Sequence, residues 1–407
     1  MVMPVVMPSA AGMIADDRWQ ESEPELVEAL RDEILASGSI TFAGFMQRAL
    51  YEPGLGYYEV PAARPGRGGD FLTAPEAHKL FGRTLASQVA ECWRRLEGPP
   101  RFTLREYGAG SGALAAPLLS NLRDEAPEAY AALAYQPLDV NPHRLAELQA
   151  RLEGDGTADR LDPGIRGTPT HADAAPEPIT GVVLANEFLD ALPVHRLEGR
   201  HKGFVEIGVG WRDGWFTDQE IPVSTPELGA YLERVGVVLA EGRRGEVNLG
   251  IRRWIEGVGR DLERGWLIVI DYGMAAAELY SARRPDGTLK GVAGHALERD
   301  PYRRVGRQDL STHVDLTELE LAGRDAGLVL VGATTQARFL AGLGLGERLV
   351  SAQQGARSIA EALETRSAAH WLLDPRGTGG FRVVVLGRQV TSDPPLAGLG
   401  GAAANGS

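Results

Sequence analysis

From Pro24 onward, Leu26, Leu30, Ile34 and Leu35 recur at helical spacing until Gly38 interrupts them, which predicts a first helix. Phe42, Phe45, Met46 and Leu50 predict a second, entered through Ser39-Ile-Thr41. From Tyr51 to Glu76 the periodicity dissolves into prolines and glycines, and a loop that long inside a compact domain points to a functional or mobile segment. Residues 76–96 return to a helical pattern. After Pro99-Pro100, short apolar runs predict strands at 102–107, 135–139, 181–185, 267–271, 329–331 and 381–386. Helical stretches at 112–124 and from Pro142 to Leu152 separate the first of them, with Pro142 placed to start a helix. Strands alternating with helices predict an α/β fold built on a doubly wound, mainly parallel sheet. The stretch 195–265 breaks the alternation. Trp211-Arg-Asp-Gly-Trp215 carries a hairpin signal, and helices are expected at 226–240 and 250–264.

These patterns divide the chain into a flexible N-terminal arm (1–22), a helical N-terminal region (23–98) holding a lid loop (51–76), and the first part of the core (99–194). An inserted α+β cap (195–265) over the carboxyl edge of the sheet follows. The second part of the core (266–390) carries a helical insertion at about 336–375, and 391–407, rich in Pro, Gly, Ala and Ser, reads as a flexible tail. Hydrophobic residues at 43% and charged residues at 24% are those of a globular protein. The formal net charge of −13 opposes binding to phosphate backbones, so nucleic acid is not the expected substrate. The one cysteine, Cys92, excludes an intrachain disulfide and a cysteine-based zinc site, and leads to the expectation of a cytoplasmic protein. No apolar run is long enough to predict a membrane span, and the N-terminus lacks the basic start of a signal peptide. No metal is expected, because His171-Ala-Asp173 is too short to supply a ligand set.

The chemistry concentrates at Glu106-Tyr-Gly-Ala-Gly-Ser-Gly112, which follows a strand and opens a helix. Gly108, Gly110 and Gly112 allow the backbone to turn sharply and approach a ligand, and the helix beyond offers free N–H groups to an anion. Gly108-x-Gly110-x-x-Ala113 also satisfies a dinucleotide fingerprint, so NAD competes as the cofactor. Glu106 shifts the balance: a carboxylate there accepts from an ammonium and repels a pyrophosphate, which favours S-adenosyl-L-methionine. Asp139, ending the next strand, is placed for ribose hydroxyls or as a helix cap ahead of Pro142. Asp173 falls where a third strand should end and could meet the adenine amino group or face solvent.

Several blocks extend this reading. Tyr51-Glu-Pro-Gly-Leu-Gly-Tyr-Tyr58 and Gly69-Asp-Phe-Leu-Thr-Ala-Pro-Glu76 precede the glycine turn. Ala185-Asn-Glu-Phe-Leu-Asp-Ala-Leu-Pro193, Ile270-Asp-Tyr-Gly273, Gln308-Asp-Leu-Ser-Thr-His-Val-Asp315 and Thr335-Gln-Ala-Arg-Phe-Leu340 follow it. In these blocks, over about residues 38–390, the chain resembles the MidA family of class I S-adenosylmethionine methyltransferases. That family includes the mitochondrial complex I assembly factor that methylates a protein arginine. Asp139 stands where similar proteins commonly carry Glu, and Ser311-Thr-His313 where they commonly have Thr-Ala-His.

The resemblance implies a Rossmann-like class I fold and puts Asn186, Glu187 and Asp190 where they face the methyl group. A helix beginning at Glu187 would point both carboxylates to one side, where they could hold a guanidinium; Asn186 would otherwise be an N-cap. Asp70, Thr73 and Glu76 are expected in a lid over the cofactor, and Tyr57 and Tyr58 along an acceptor channel or packed locally. His313, flanked by Asp309 and Asp315, is expected to have a raised pKa and to serve as a base or to orient the acceptor. Asp271 is expected at the active edge. The function expected is methyl transfer to an acceptor, with a protein arginine nitrogen foremost. The alternatives are a small-molecule O-, N- or C-acceptor, and an assembly factor that binds the cofactor without catalysis. A homodimer is left open.

Overall fold

The computed structural model describes residues 17–60, 73–162 and 178–400. Two helices, α1 (Pro24–Ser37) and α2 (Phe42–Tyr51), lead to a short helix at Ala74–Ala77 and to α3 (Leu80–Arg95). The core then runs β1 (Phe102–Tyr107), α4 (Ala115–Glu125), β2 (Leu133–Leu138), α5 (Pro142–Gly154) and β3 (Ile179–Asn186). Next come β4 (His195–Gly199), β5 (Phe204–Arg212), β6 (Trp215–Ile221), α6 (Glu227–Arg234) and β7 (Arg244–Val247). The chain returns to the core through α7 (Gly250–Asp261) and β8 (Leu262–Asp271), then α8 (Leu316–Asp325) and β9 (Val329–Thr335). Helices α9 (Gln336–Gly342), α10 (Leu345–Gln354) and α11 (Ile359–Leu373) precede β10 (Arg382–Arg388).

The central sheet has the order β9-β10-β8-β3-β1-β2. The pairs β2–β1, β1–β3 and β3–β8 are parallel, whereas β10 runs antiparallel to both β8 and β9. Both faces are covered, so its strands are apolar runs rather than alternations. Val182 and Leu184 face one layer with α3 and α4, while Val183 and Ala185 face the other. Helix α7 presents Ile251, Trp254, Ile255 and Val258 to that second layer at helical spacing. The carboxyl ends of β1, β3 and β8 are therefore adjacent, with Ala185 beside Tyr107 and Asn186 beside Ile270.

A second, antiparallel sheet has the order β6-β5-β4-β7. Its β5–β6 turn is the expected hairpin, with Asp213 at φ 52° and Gly214 at φ 81°, the left-handed pair such two-residue turns require. The N-terminal helices lie on this sheet. Ile40 bridges Val209, and Phe42, Phe45 and Met46 share a core with Val209, Trp215 and Phe216.

Several boundaries differ from the sequence reading. His78 and Lys79 split 76–96, Leu80 donating its main-chain N–H to His78 Nδ1. Strand β8 starts at Leu262, and α7 belongs to the layer beneath the central sheet. The expected flexible tail is docked as far as Gly400: Leu396 is fully buried, and Arg95 donates to the carbonyls of Pro394 and Pro395. Trp19 likewise packs edge-on to Trp215, so residues 17–22 of the expected arm belong to the folded body. Asp70 and Asp173 lie outside the described residues.

One contact limits substitution in the sheet. Gly265 has φ 142°, and a Cβ there would collide with the Gly181 carbonyl of the neighbouring strand. Gly265→Ala is expected to lower stability by about 3 kcal/mol or more in denaturant unfolding. Gly214→Ala, also left-handed but with nothing within 4 Å, serves as the contrast at about 1 kcal/mol.

Candidate active site

The glycine turn projects from β1. Gly108, Gly110 and Gly112 have φ of 67°, 53° and 78°, so all three use the freedom that only glycine has without strain. The turn is packed from below, where a Cβ at Gly112 would lie 3.0 Å from Leu148 Cγ of α5 and one at Gly108 3.3 Å from Phe188. Ala109 N–H donates to the Leu138 carbonyl, joining the turn to the end of β2.

Two carboxylates flank it. Glu106 is buried and accepts from the Tyr135 hydroxyl at 2.6 Å; burial, opposed by that bond, pushes its acid up to about 7. Asp139 accepts from Gly110 N–H at 2.9 Å and from Asn141 N–H at 2.8 Å. The helix cap is Asn141, whose side-chain oxygen accepts from His143 and Arg144 N–H at the start of α5. Asp139 thus braces the turn, and a carboxylate with one such donor on each oxygen still has lone pairs for ribose hydroxyls. An open glycine cradle between these two acids suits a ligand with an ammonium at one end and a ribose at the other. Glu106, Asp139 and the main chain of 108–112 would hold it.

The acceptor side forms beyond β3 and β8. No helix begins at Glu187, in contrast to the sequence reading; Glu187 has φ 49°, a left-handed conformation that turns the chain out of β3. Asn186 therefore caps nothing and donates its amide to Glu187 Oε1 at 3.2 Å. The 188–190 segment is held instead by Asp271, whose Oδ2 accepts the main-chain N–H groups of Phe188, Leu189 and Asp190 at 3.0–3.3 Å. Its Oδ1 accepts from Tyr272 N–H at 2.9 Å. Asp271 is 1% exposed and acts as an anchor rather than at the acceptor. Burial, with Asp190 and Glu187 nearby, raises its acid, while the main-chain donors pull the other way.

Glu187 also accepts from Ala74 N–H at 3.1 Å, so the short helix after Thr73 closes over it. Burial pushes Glu187 up to about 8, with Asp190 and Glu76 adding to the rise. Thr73 precedes that helix without a side-chain cap bond, and Glu76 Oε2 is buried with no partner among the described residues. Asp190 accepts from the Tyr272 hydroxyl, and its own acid is raised by burial against the pull of Tyr272 and Lys290.

Two tyrosines were grouped by sequence, and the structure separates them. Tyr57 is 2% exposed and packs in the N-terminal core. Tyr58 stands in the wall: its hydroxyl donates to Asp309 Oδ1 at 2.6 Å, and its carbonyl accepts from the Asn141 amide at 2.7 Å. The expected raised pKa of His313 is corrected. Asp309 is turned to Tyr58, Asp315 caps α8 and accepts from Tyr231, and burial with Lys290 and Arg284 lowers His313 to about 4. His313 is therefore a neutral imidazole near pH 7, with Nδ1 buried and unpartnered among the described residues. Sequence reasoning missed Tyr135, Asn141, Tyr272 and Lys290. Asn141 ahead of Pro142 carried a capping signal, and Tyr272 lay inside a recognised block; Lys290 carried none.

Comparison with known proteins agrees with this geometry. Residues 84–334 match the family described as S-adenosyl-L-methionine-dependent methyltransferase. The chain is 27% identical over 348 residues, 80% of this chain and 78% of the relative, to the mitochondrial protein arginine methyltransferase NDUFAF7 of Danio rerio. It is 28% identical over 390 residues, 90% of this chain and 85% of the relative, to the mitochondrial homolog of Drosophila melanogaster. A solved superfamily member from Burkholderia thailandensis, bound to S-adenosyl-homocysteine, is 32% identical with a TM-score of 0.82 and covers 98% of each chain. The cytoplasmic expectation does not stand beside relatives that are mitochondrial by name. A lone cysteine excludes an intrachain disulfide but does not choose among compartments. Among the described residues, no helix is long and apolar enough to cross a membrane.

The acid at 106 gives a pH test. Its pKa is raised on folding from 4.5 to about 7, so its contribution to the stability of the ligand-free fold is present below the unfolded value and lost as pH rises through about 7. A bound ammonium requires the ionised form. Calorimetry should show the affinity for S-adenosyl-L-methionine falling as pH drops from about 8 to about 6, approaching tenfold per unit below the pKa. Glu106→Gln should bind about tenfold more weakly or worse and lose most of that pH dependence.

Proposed function

The chain belongs to this family of S-adenosyl-L-methionine-dependent methyltransferases, and we propose that its acceptor is a side-chain nitrogen of a protein arginine. When bound, the cofactor supplies an electrophilic methyl group, and the chain must present a nucleophile in line with it. The observation that carries the reading is a buried acid pair that no cation engages directly: among the described residues no arginine or lysine forms an ion pair with Glu187 or Asp190, and Lys290, which pulls on the acid of Asp190, lies over the Tyr272 ring instead. Burial raises both acids, Glu187 to about 8, so Glu187 holds near pH 7 a proton that an arriving cation would displace.

A guanidinium suits these acids because its planar N–H groups reach two acceptors at once, which localises charge on the bonded nitrogens and frees another to attack. Glu187, Asp190 and Asn186 are assigned to hold the acceptor, and Tyr58 to line its approach. His313, neutral and part-buried, is assigned to the acceptor side as the group that takes the proton the methylated nitrogen must release. Asp70, Thr73, Glu76 and Asp173 stay with the cofactor side of this proposal. The relatives named as protein arginine methyltransferases support the choice of acceptor.

The test is incubation with methyl-labelled cofactor and an extract of cells lacking this gene, followed by acid hydrolysis of the protein fraction. Methylarginine in that hydrolysate is the expected product; label confined to small molecules overturns the reading. Glu187→Gln is expected to slow labelling by about a hundredfold, the scale of a positioned acid–base group, with cofactor affinity retained. Because Glu187 must lose its proton to solvent for a guanidinium to bind there, wild-type labelling at limiting extract should rise with pH toward about 8 and level off above it.

A further inference from the structure

Asp190 has its main chain fixed at two points. Its N–H donates to Asp271 Oδ2 at 3.3 Å, and its carbonyl accepts from Thr312 N–H at 2.9 Å. Tyr272 is fixed just as firmly, by its N–H on Asp271 Oδ1 and by Val314 N–H on its carbonyl at 3.0 Å. Both residues therefore hang from one buried carboxylate, and their side chains meet, the phenol donating to Asp190 Oδ2.

The Tyr272 ring is itself held. Lys290 Nζ lies 4.0 Å from its centroid, the His313 ring meets it edge-on at 5.3 Å, and Phe381 packs at 5.2 Å. Lys290 reaches this place on the strand Lys290–Ala293, which belongs to neither large sheet. An ammonium over a phenol face is attracted by the ring and strengthens the phenol as a donor to a carboxylate. The other charged or titratable neighbours are the acids Asp271, Glu187 and Asp309, the phenols of Tyr51 and Tyr58, which face Asp190 from the N-terminal segment, and the neutral His313.

We propose that Tyr272 is a positioning residue that fixes Asp190 for the acceptor, engaging Oδ2 so that the incoming N–H meets Oδ1, and that Lys290 holds the Tyr272 ring for this task. The proposal rests on Asp190 as an acceptor ligand. The device also selects among the clustered acids: Asp190 has a phenol donor and a nearby ammonium, Glu187 has neither, and Asp271 is spent on the main chain. The acceptor thus meets at Asp190 a carboxyl of fixed direction, beside Glu187, whose acid burial raises to about 8.

The test uses the full-length protein, the same extract and labelled cofactor, with initial rates at limiting extract measured across pH for wild type and the variants Tyr272→Phe, Lys290→Met and Asp190→Asn. In Tyr272→Phe the ring and its packing remain and only the donor is lost. The rate at pH 7 is expected to fall tenfold or more, and in a Glu187→Gln background, which removes the limb near 8, the remaining acid limb to move up by about one pH unit as Asp190 loses its donor. Cofactor affinity and melting temperature should stay as in wild type. Lys290→Met should move the limb in the same direction by less. A merely structural role would shift the melting temperature and leave the limb in place, and that result overturns the proposal. So does a Tyr272→Phe profile matching wild type while Asp190→Asn is inactive, which leaves the acid-pair reading standing. Full activity in Asp190→Asn removes both. If the label sits on an acceptor other than arginine and the limb still moves, the choice of acceptor fails and the positioning role holds.

Discussion

The carboxylate of Asp271 is the contact on which the acceptor side of the molecule depends. Where the chain leaves β3 it turns through a left-handed Glu187, and the next three amides have no strand to pair with. Buried N–H groups without acceptors are costly, and one buried anion at the end of the adjacent strand satisfies them together. Its other oxygen takes the amide of Tyr272, so the loops after β3 and β8 are set from the same point. Rigid placement of the acids at 187 and 190 is a consequence of that arrangement rather than of a helix.

The two halves of the cleft share an electrostatic logic. Glu106, Glu187, Asp190 and Asp271 are all buried, and burial raises each acid above its ordinary value, with neighbouring acids adding to the rise at Glu187 and Asp271. Such groups wait for positive charge. On the proposed function, an ammonium at the glycine turn and a cationic side chain at the acid pair would each supply it, and a chain of net charge −13 favours the approach of both. Lys290, whose charge pulls on the acid of Asp190, is placed against a ring face instead of in an ion pair, which leaves that carboxylate without a direct cationic partner among the described residues.

What was legible in the sequence follows from which forces act locally. The central strands could be read because both their faces are buried, and the glycine turn because three left-handed positions in five residues admit little else. The hairpin at Asp213-Gly214 was equally local. The path after Asn186 was not: first-turn acids beside a possible cap look like a helix start, and only the remote Asp271 makes another course favourable. His313 was misread for a similar reason. Its sequence neighbours Asp309 and Asp315 are committed to Tyr58 and to the start of α8, while Lys290 and Arg284, distant in the chain, stand close to the ring. The tail was misread because its composition resembles a linker, whereas Leu396 and Leu399 find a surface on α3 and α9.

The position of the N-terminal helices gives these contacts a common direction. They rest on the inserted sheet, and the chain leaving α2 passes Tyr58 across to the end of β2, where Asn141 holds its carbonyl. Asn141 is also the cap of α5, and its N–H is the donor on one oxygen of Asp139; the other oxygen braces Gly110. One short turn thus carries the ribose acid, the support of the glycine cradle and the tether of the acceptor wall. The support of the cradle uses Asp139 Oδ2 and the tether uses the Asn141 amide, so these two do not compete. A displacement of that turn must move all three, because the hydrogen bonds that define them share its backbone. The cofactor cradle and the acceptor wall come from segments some 80 residues apart, |i−j| = 83 across the Asn141–Tyr58 bond, yet they are aligned by the same few atoms.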